Sequence, residues 1–158
     1  WVPIHAVFPL SAAKAVVDAN EAYFAERKAF MESHGILYSV MSMTVGNEFF
    51  LEPAFYWQDE ITPLHAKSVG EDTVRPWMNR PANPQSRNAV AELRRGTQEL
   101  YASLGGVSWQ VARDYPYLDL LEPDTRSFAE SVKRALDPSS LMNPGSLGLR
   151  SIFQARGS

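Results

Sequence analysis

The order of strand-like and helix-like segments predicts an α+β fold. It is a ferredoxin-like split β-α-β antiparallel sheet with helices packed on one face, plus a C-terminal helix and an extended tail. Three observations predict it. Residues 2–8 alternate in hydropathy with a period of two, two apolar stripes recur at helical spacing near 13–31 and 89–104, and a Gly46-Asn47 pair separates two β-rich runs.

The first strand opens the chain in "WVPIHAVFPL", with Val2, Ile4, Ala6 and Phe8 on one face and Pro3, His5 and Val7 on the other. Ser11 stands where a helix N-cap is expected, because its hydroxyl can accept an unpaired amide N–H. A long helix follows, placing Val16, Val17, Tyr23, Phe24, Phe30 and Met31 on one stripe and ending at Gly35. "ILYSVMSMTV" and "EFFLEPAFYW" form a hairpin around Gly46-Asn47. Pro53 cannot donate to a ladder, so it predicts a bulge or an edge position, and a bulge would re-aim its neighbour Glu52.

Residues 59–84 hold four prolines and read as a poorly structured connection, a length that suits a lid or an interface segment. Ala89, Val90, Leu93, Thr97, Leu100, Tyr101 and Leu104 then mark a helix capped by Gly105-Gly106. "VSWQVA", residues 107–112, alternates as a further strand. A last helix starts near Asp124-Thr125, buries Phe128, Val132 and Leu136, and halts before Pro138. Beyond it, "SSLMNPGSLGL" is nearly free of charge and offers little reason to stay ordered alone.

Composition narrows the function classes. At 158 residues the chain suits one domain with a real core, and 45% hydrophobic against 21% charged residues is ordinary for a folded protein. A formal charge of −3 argues against nucleic acid or a membrane surface as partner, since neither finds an electrostatic attraction here. No apolar run reaches the length of a membrane span. With no cysteine there are no disulfides or thiolate metal sites, which fits a cytoplasmic protein. The chain begins at Trp1 inside a strand-like run, suggesting a piece of a longer polypeptide.

There is no phosphate-cradling glycine loop. His5, His34 and His65 lack metal-ligand spacing, so no metal site is expected. Glu52 is a carboxylate in an aromatic strand, and burial there would raise its pKa and suit it to proton transfer. "SWQVARDYPY" gathers Gln110, Arg113 and Tyr115 where a strand would end, the usual place for pocket-lining groups. Arg113 would suit an anionic substrate group. Glu52, Gln110 and Arg113 are thus the candidate catalytic or substrate-orienting residues.

Four stretches, in order and covering nearly the whole chain, resemble the FAD-linked oxidases of the vanillyl-alcohol oxidase and para-cresol methylhydroxylase type. They are "WVPIHAVFPLS", "MTVGNEFFLEPAFYW", "GGVSWQVARDYPY" and "LDPSSLMNPGSLGL". The resemblance implies the C-terminal cap, or substrate, domain of a flavoprotein whose FAD-binding domain is absent from this chain. It implies oxidation of a small alcohol, phenol-like or hydroxy-acid substrate by hydride transfer to FAD, with the fragment inactive alone. It places Tyr115 and Asn143 near the flavin and packs the tail on the FAD-binding domain.

The resemblance implies no covalent attachment through this domain: members that attach the flavin there carry a histidine soon after the stretch resembling "TVG", and here no histidine lies between Val45 and Gln58. Where phenol-oxidising members carry a Tyr-Arg pair, Ser108-Trp109 stands here. The implied partners are an FAD-binding domain of the same or a second chain and a small-molecule substrate, with room for a homo-oligomer. Two other readings stay open: a free-standing ferredoxin-like module that binds a ligand or dimerises, and a small subunit paired with a separate flavin-binding chain.

Overall fold

The computed structural model describes residues 1–110, 115 and 117–146. The chain divides into two compact units, Trp1–Leu104 and Gly105–Ser158. The first is an α+β unit built on an antiparallel sheet, as the sequence predicts. Strands β1 (Val2–Pro3) and β2 (Ala6–Pro9) both pair with β4 (Glu48–Tyr56), and β3 (Leu37–Val45) pairs with the other side of β4.

β1 and β2 are one predicted strand interrupted at a single place. The register of both against β4 is the same, since Pro3 faces Ala54 and Ala6 faces Leu51. The gap therefore lies opposite Glu52 and Pro53. Ile4 N–H donates to the Pro53 carbonyl at 3.0 Å, but Pro53 has no N–H to return the bond. Pro53 thus sits fully buried in the central strand, in register, and neither the bulge nor the edge position expected for it occurs. Its cost is one ladder bond, and regular alternation alone aims Glu52.

The expected first helix is two: α1 (Ala13–Glu26) and α2 (Lys28–Ser33), broken at Arg27. Ser11 does not cap α1; it lies in a short 3₁₀ turn over Leu10–Ala12, and the capping position falls to Ala12 without a side-chain bond. Gly35 ends the segment at φ 62°, and Gly46 supplies the positive φ of 61° that a two-residue hairpin loop needs.

Residues 59–84 are more ordered than their prolines suggest. They hold α3 (Pro63–Val69), α4 (Glu71–Val74) and a 3₁₀ turn. Thr62 and His65 form a reciprocal capping box at the start of α3, with Pro63 in the first turn, where a missing N–H costs nothing. α5 (Pro84–Ser103) starts earlier than its apolar stripe, capped by Asn83, whose side chain accepts from Ser86 N–H at 3.1 Å.

α1 and α5 pack on one face of the sheet. Ala6, Phe8, Phe49 and Leu51 meet Val16 of α1 and Tyr101 of α5, and Phe8 and Tyr101 stack edge to face. The Tyr101 hydroxyl donates to Asn20 Oδ1 at 2.7 Å, so the two polar groups buried here satisfy each other. Gly96 lets α5 approach α1, because a Cβ there would lie 2.2 Å from the Tyr23 hydroxyl oxygen.

In the second unit, Val107 makes an isolated bridge and Trp109-Gln110 is a bend. Through residue 110 the predicted strand is not formed, and its last two residues lie outside the described ones. α6 (Pro123–Leu136) ends before Pro138 as expected. Its apolar stripe is not buried, however: Phe128 is 70% and Leu136 76% exposed. Helical periodicity says which residues share a face and is silent on what covers it.

The start of the segment after α6 has hydrogen bonds of its own. The Asp137 carboxylate accepts the N–H groups of Leu141 and Met142 at 2.9 Å each, and Lys133 Nζ donates to that carboxylate and to the Met142 carbonyl. Lys133, with the two amide N–H groups, holds the Asp137 carboxyl below its usual pKa. Ser146 N–H closes on the Asn143 carbonyl at 3.1 Å. Residues 147–158 lie outside the described ones.

Candidate functional site

Alternation along β4 puts Phe49, Leu51, Pro53 and Phe55 on the helix side and Phe50, Glu52 and Ala54 on the other. The shared register of β1 and β2 sets His5 directly across from Glu52. His5 Nδ1 stands 3.7 Å from Glu52 Oε2, and the imidazole stacks on Phe50 with ring centroids 5.5 Å apart. On the far side of β4, Met41 is the partner of Glu52 and Met43 that of Phe50. One carboxyl and one imidazole thus sit side by side among aromatic and thioether groups.

Burial decides their charge. His5 is 2% exposed, and removal from water lowers its pKa to about 4, so the ring is neutral at pH 7. The Glu52 side chain keeps 17% of its exposure, and burial raises its pKa. The contact is therefore a carboxyl beside a neutral imidazole and not an ion pair at neutral pH. The Glu52 carboxyl can accept a proton there, with the neutral His5 ring beside it at a distance longer than a hydrogen bond.

A clamp at the end of β4 fixes this strand to α5. Arg87 Nε and Nη2 grip Asp59 at 2.6 and 2.9 Å, and Nη2 also reaches Glu60 at 2.7 Å. Asp59 further accepts from Trp57 Nε1 at 3.0 Å and from Asn83 N–H at 2.8 Å. The Arg87 guanidinium, first among these partners, holds the Asp59 carboxyl well below the usual carboxylate range. The clamp borders a cleft of about 390 Å³ that Trp1, Trp57, His65 and Arg80 also line.

Of the residues the sequence proposes, Glu52 alone lies in the first unit. Gln110 is exposed in a bend of the second unit, Tyr115 is buried there, and Asn143 is exposed in a turn at φ 45°. Arg113 lies outside the described residues. His5 is the residue that sequence reasoning passed over. Its place on the polar-facing side of the first strand was visible, but its pairing with Glu52 depends on a register no local signal encodes. Among the described residues, no cluster of three or more His, Asp or Glu side chains is arranged to hold a metal ion, and no helix is long and apolar enough to cross a membrane.

Fold and site together define an α+β protein with, among the described residues, an acid–imidazole pair on the sheet face opposite α1 and α5. No family model, no curated protein and no solved structure matches the chain.

Proposed function

We propose that this chain is the substrate-covering cap of an FAD-dependent oxidoreductase acting on a small alcohol, phenol-like or hydroxy-acid substrate. The observation that carries the reading is the Glu52–His5 pair, a proton acceptor held among apolar and aromatic side chains. The four-part resemblance in sequence supplies the class of reaction.

The residues suit a cover for a flat ring. Met41 and Met43, both exposed, give an apolar surface on the side of the sheet that bears Glu52, beside the buried Phe50. The sequence carries no glycine-rich phosphate cradle, and in this reading another domain holds the rest of FAD. Bound flavin supplies the hydride acceptor. This chain's own work is to exclude water and to take the substrate hydroxyl proton at Glu52 Oε2, with the neutral His5 ring beside the carboxyl. The sequence resemblance adds Gln110, Arg113, Tyr115 and Asn143, all in the second unit, as candidate substrate and flavin contacts.

The test joins the chain to the FAD-binding polypeptide encoded beside or ahead of it. The assembled protein should be yellow and bleach with substrate, and Glu52→Gln should slow flavin reduction by about 10²–10⁴, the usual worth of a general base. Flavin reduction unchanged by Glu52→Gln removes the proton-acceptor role. An assembled protein that binds no flavin removes the whole reading.

A further inference from the structure

β3 is nine residues long, all of them exposed, and among the described residues it pairs with β4 alone. Its sequence, "LYSVMSMTV", has no charge, no proline and no glycine. Exposed edge strands in soluble proteins usually carry lysine, proline or a bulge, because an unguarded edge pairs with other strands. Leu37 is 73% and Val45 57% exposed, so the ends are as unguarded as the middle.

The ladder shows which backbone groups are on offer. In an antiparallel pair, a residue's N–H and C=O point to the same neighbour. Pro53 directs its carbonyl to Ile4, so Glu52, Phe50 and Ala54 face β3, where their partners are Met41, Met43 and Ser39. It follows that Tyr38, Val40, Ser42 and Thr44 turn their N–H and C=O groups to the open edge.

We infer that β3 joins a second copy of this chain, strand to strand and antiparallel, about a two-fold axis at Met41. The strand is self-complementary in that register. Val40 meets Ser42 of the second copy and Tyr38 meets Thr44, and each such pair exchanges two hydrogen bonds, about eight across the interface. The residues between them form the non-hydrogen-bonded pairs: Met41 on Met41, Ser39 on Met43 and Leu37 on Val45. A strand without charge is one that can lie on its own copy with no like charges opposed, whereas a charged partner finds nothing here to match. Isologous pairing of this kind closes the assembly at two copies.

The experiment measures the mass of the 158-residue chain in solution across concentration, with three variants. The unmodified chain should sediment at twice 17.7 kDa. Ser42→Pro removes an outward N–H without touching the β3–β4 ladder, and it should weaken the dimer at least tenfold. Met41→Cys, in a chain with no other cysteine, should give a disulfide-linked dimer on mild oxidation, since opposed Cα atoms about 4.5 Å apart suit that bond. Val45→Cys should not, because its symmetry mate lies at the far end of the strand.

In the dimer the Tyr38, Val40, Ser42 and Thr44 amides should exchange slowly with solvent. A monomer at every concentration, with those four amides exchanging fast, overturns the inference. So does a dimer that Ser42→Pro leaves intact and Met41→Cys fails to cross-link, for then another surface joins the copies.

Discussion

β3 and β4 are two nine-residue strands of one hairpin, both rich in apolar residues, yet β4 has six buried residues and β3 has none. Composition does not separate them; neighbours do. β4 has a strand on each side and helices over Phe49 and Leu51, while β3 has, among the described residues, one strand beside it. The only charged residues of the pair, Glu48 and Glu52, lie on the buried strand, and the exposed strand is neutral. A solvated edge normally shows the reverse. β4 thus carries the stability and the one acid of the candidate site, and β3 carries the capacity to associate.

The largest effect that would break this comparison is a cavity. Phe55 on β4 is fully buried and packs on Phe24, so Phe55→Ala should cost about 3–5 kcal/mol. Val40 on β3 is 43% exposed, and Val40→Ala at low chain concentration should cost under about 1 kcal/mol. Urea midpoints at constant slope measure both. Similar costs at the two positions would mean that β3 is not an open edge.

Next in size is the pH response of the acid–imidazole pair. The His5 folded pKa of about 4 lies below the ordinary 6.5, so the unfolded chain binds the proton first as pH falls. Its contribution is complete above about 6.5 and is lost by about 4, on the order of 3 kcal/mol at most. Glu52 acts in the opposite sense: burial raises its folded pKa, which favours the fold at low pH, and that gain fades as pH rises through the raised value. Stability should therefore rise from about pH 4 to about 6.5 with a slope smaller than His5 alone would give. His5→Gln should flatten or reverse that slope, and an unchanged slope would show that the ring is not held neutral.

A smaller contrast compares two hydroxyls. Tyr101→Phe leaves Asn20 Oδ1 buried without its donor and should cost about 1–3 kcal/mol. The Tyr56 hydroxyl, 3.3 Å from Ser39 Oγ at the exposed end of the hairpin, can turn to water, so Tyr56→Phe should change stability by under about 0.5 kcal/mol.

What could be read beforehand follows the same division between local and non-local information. The hairpin was legible because Gly46 must take a positive φ, and the core face of β2 was legible from Ala6 and Phe8. The exposure of Phe128 and Leu136 was not, since an amphipathic face names no partner. α3 went unread because prolines outweighed the Thr62–His65 cap, in which histidine takes the part that glutamate usually plays. Glu52 was singled out by its apolar surroundings, but His5 came to it only through register.

Pro53 gives a small effect on stability and the sharpest test of that register. Pro53→Val restores an N–H facing the Ile4 carbonyl, fusing β1 and β2 into one strand. The new ladder bond should add about 0.5–1.5 kcal/mol, while the freer unfolded chain takes back about 0.4–1 kcal/mol. The net change should be under about 1 kcal/mol, so the informative measurement is hydrogen exchange. If the amide introduced at position 53 exchanges as slowly as that of Ile4, β4 stands at the centre of a continuous ladder, with His5 pinned opposite Glu52 on both sides of the former gap. Fast exchange of that new amide would mean that Ile4 and residue 53 are not true ladder partners, and the pairing that sets His5 against Glu52 would lose its support.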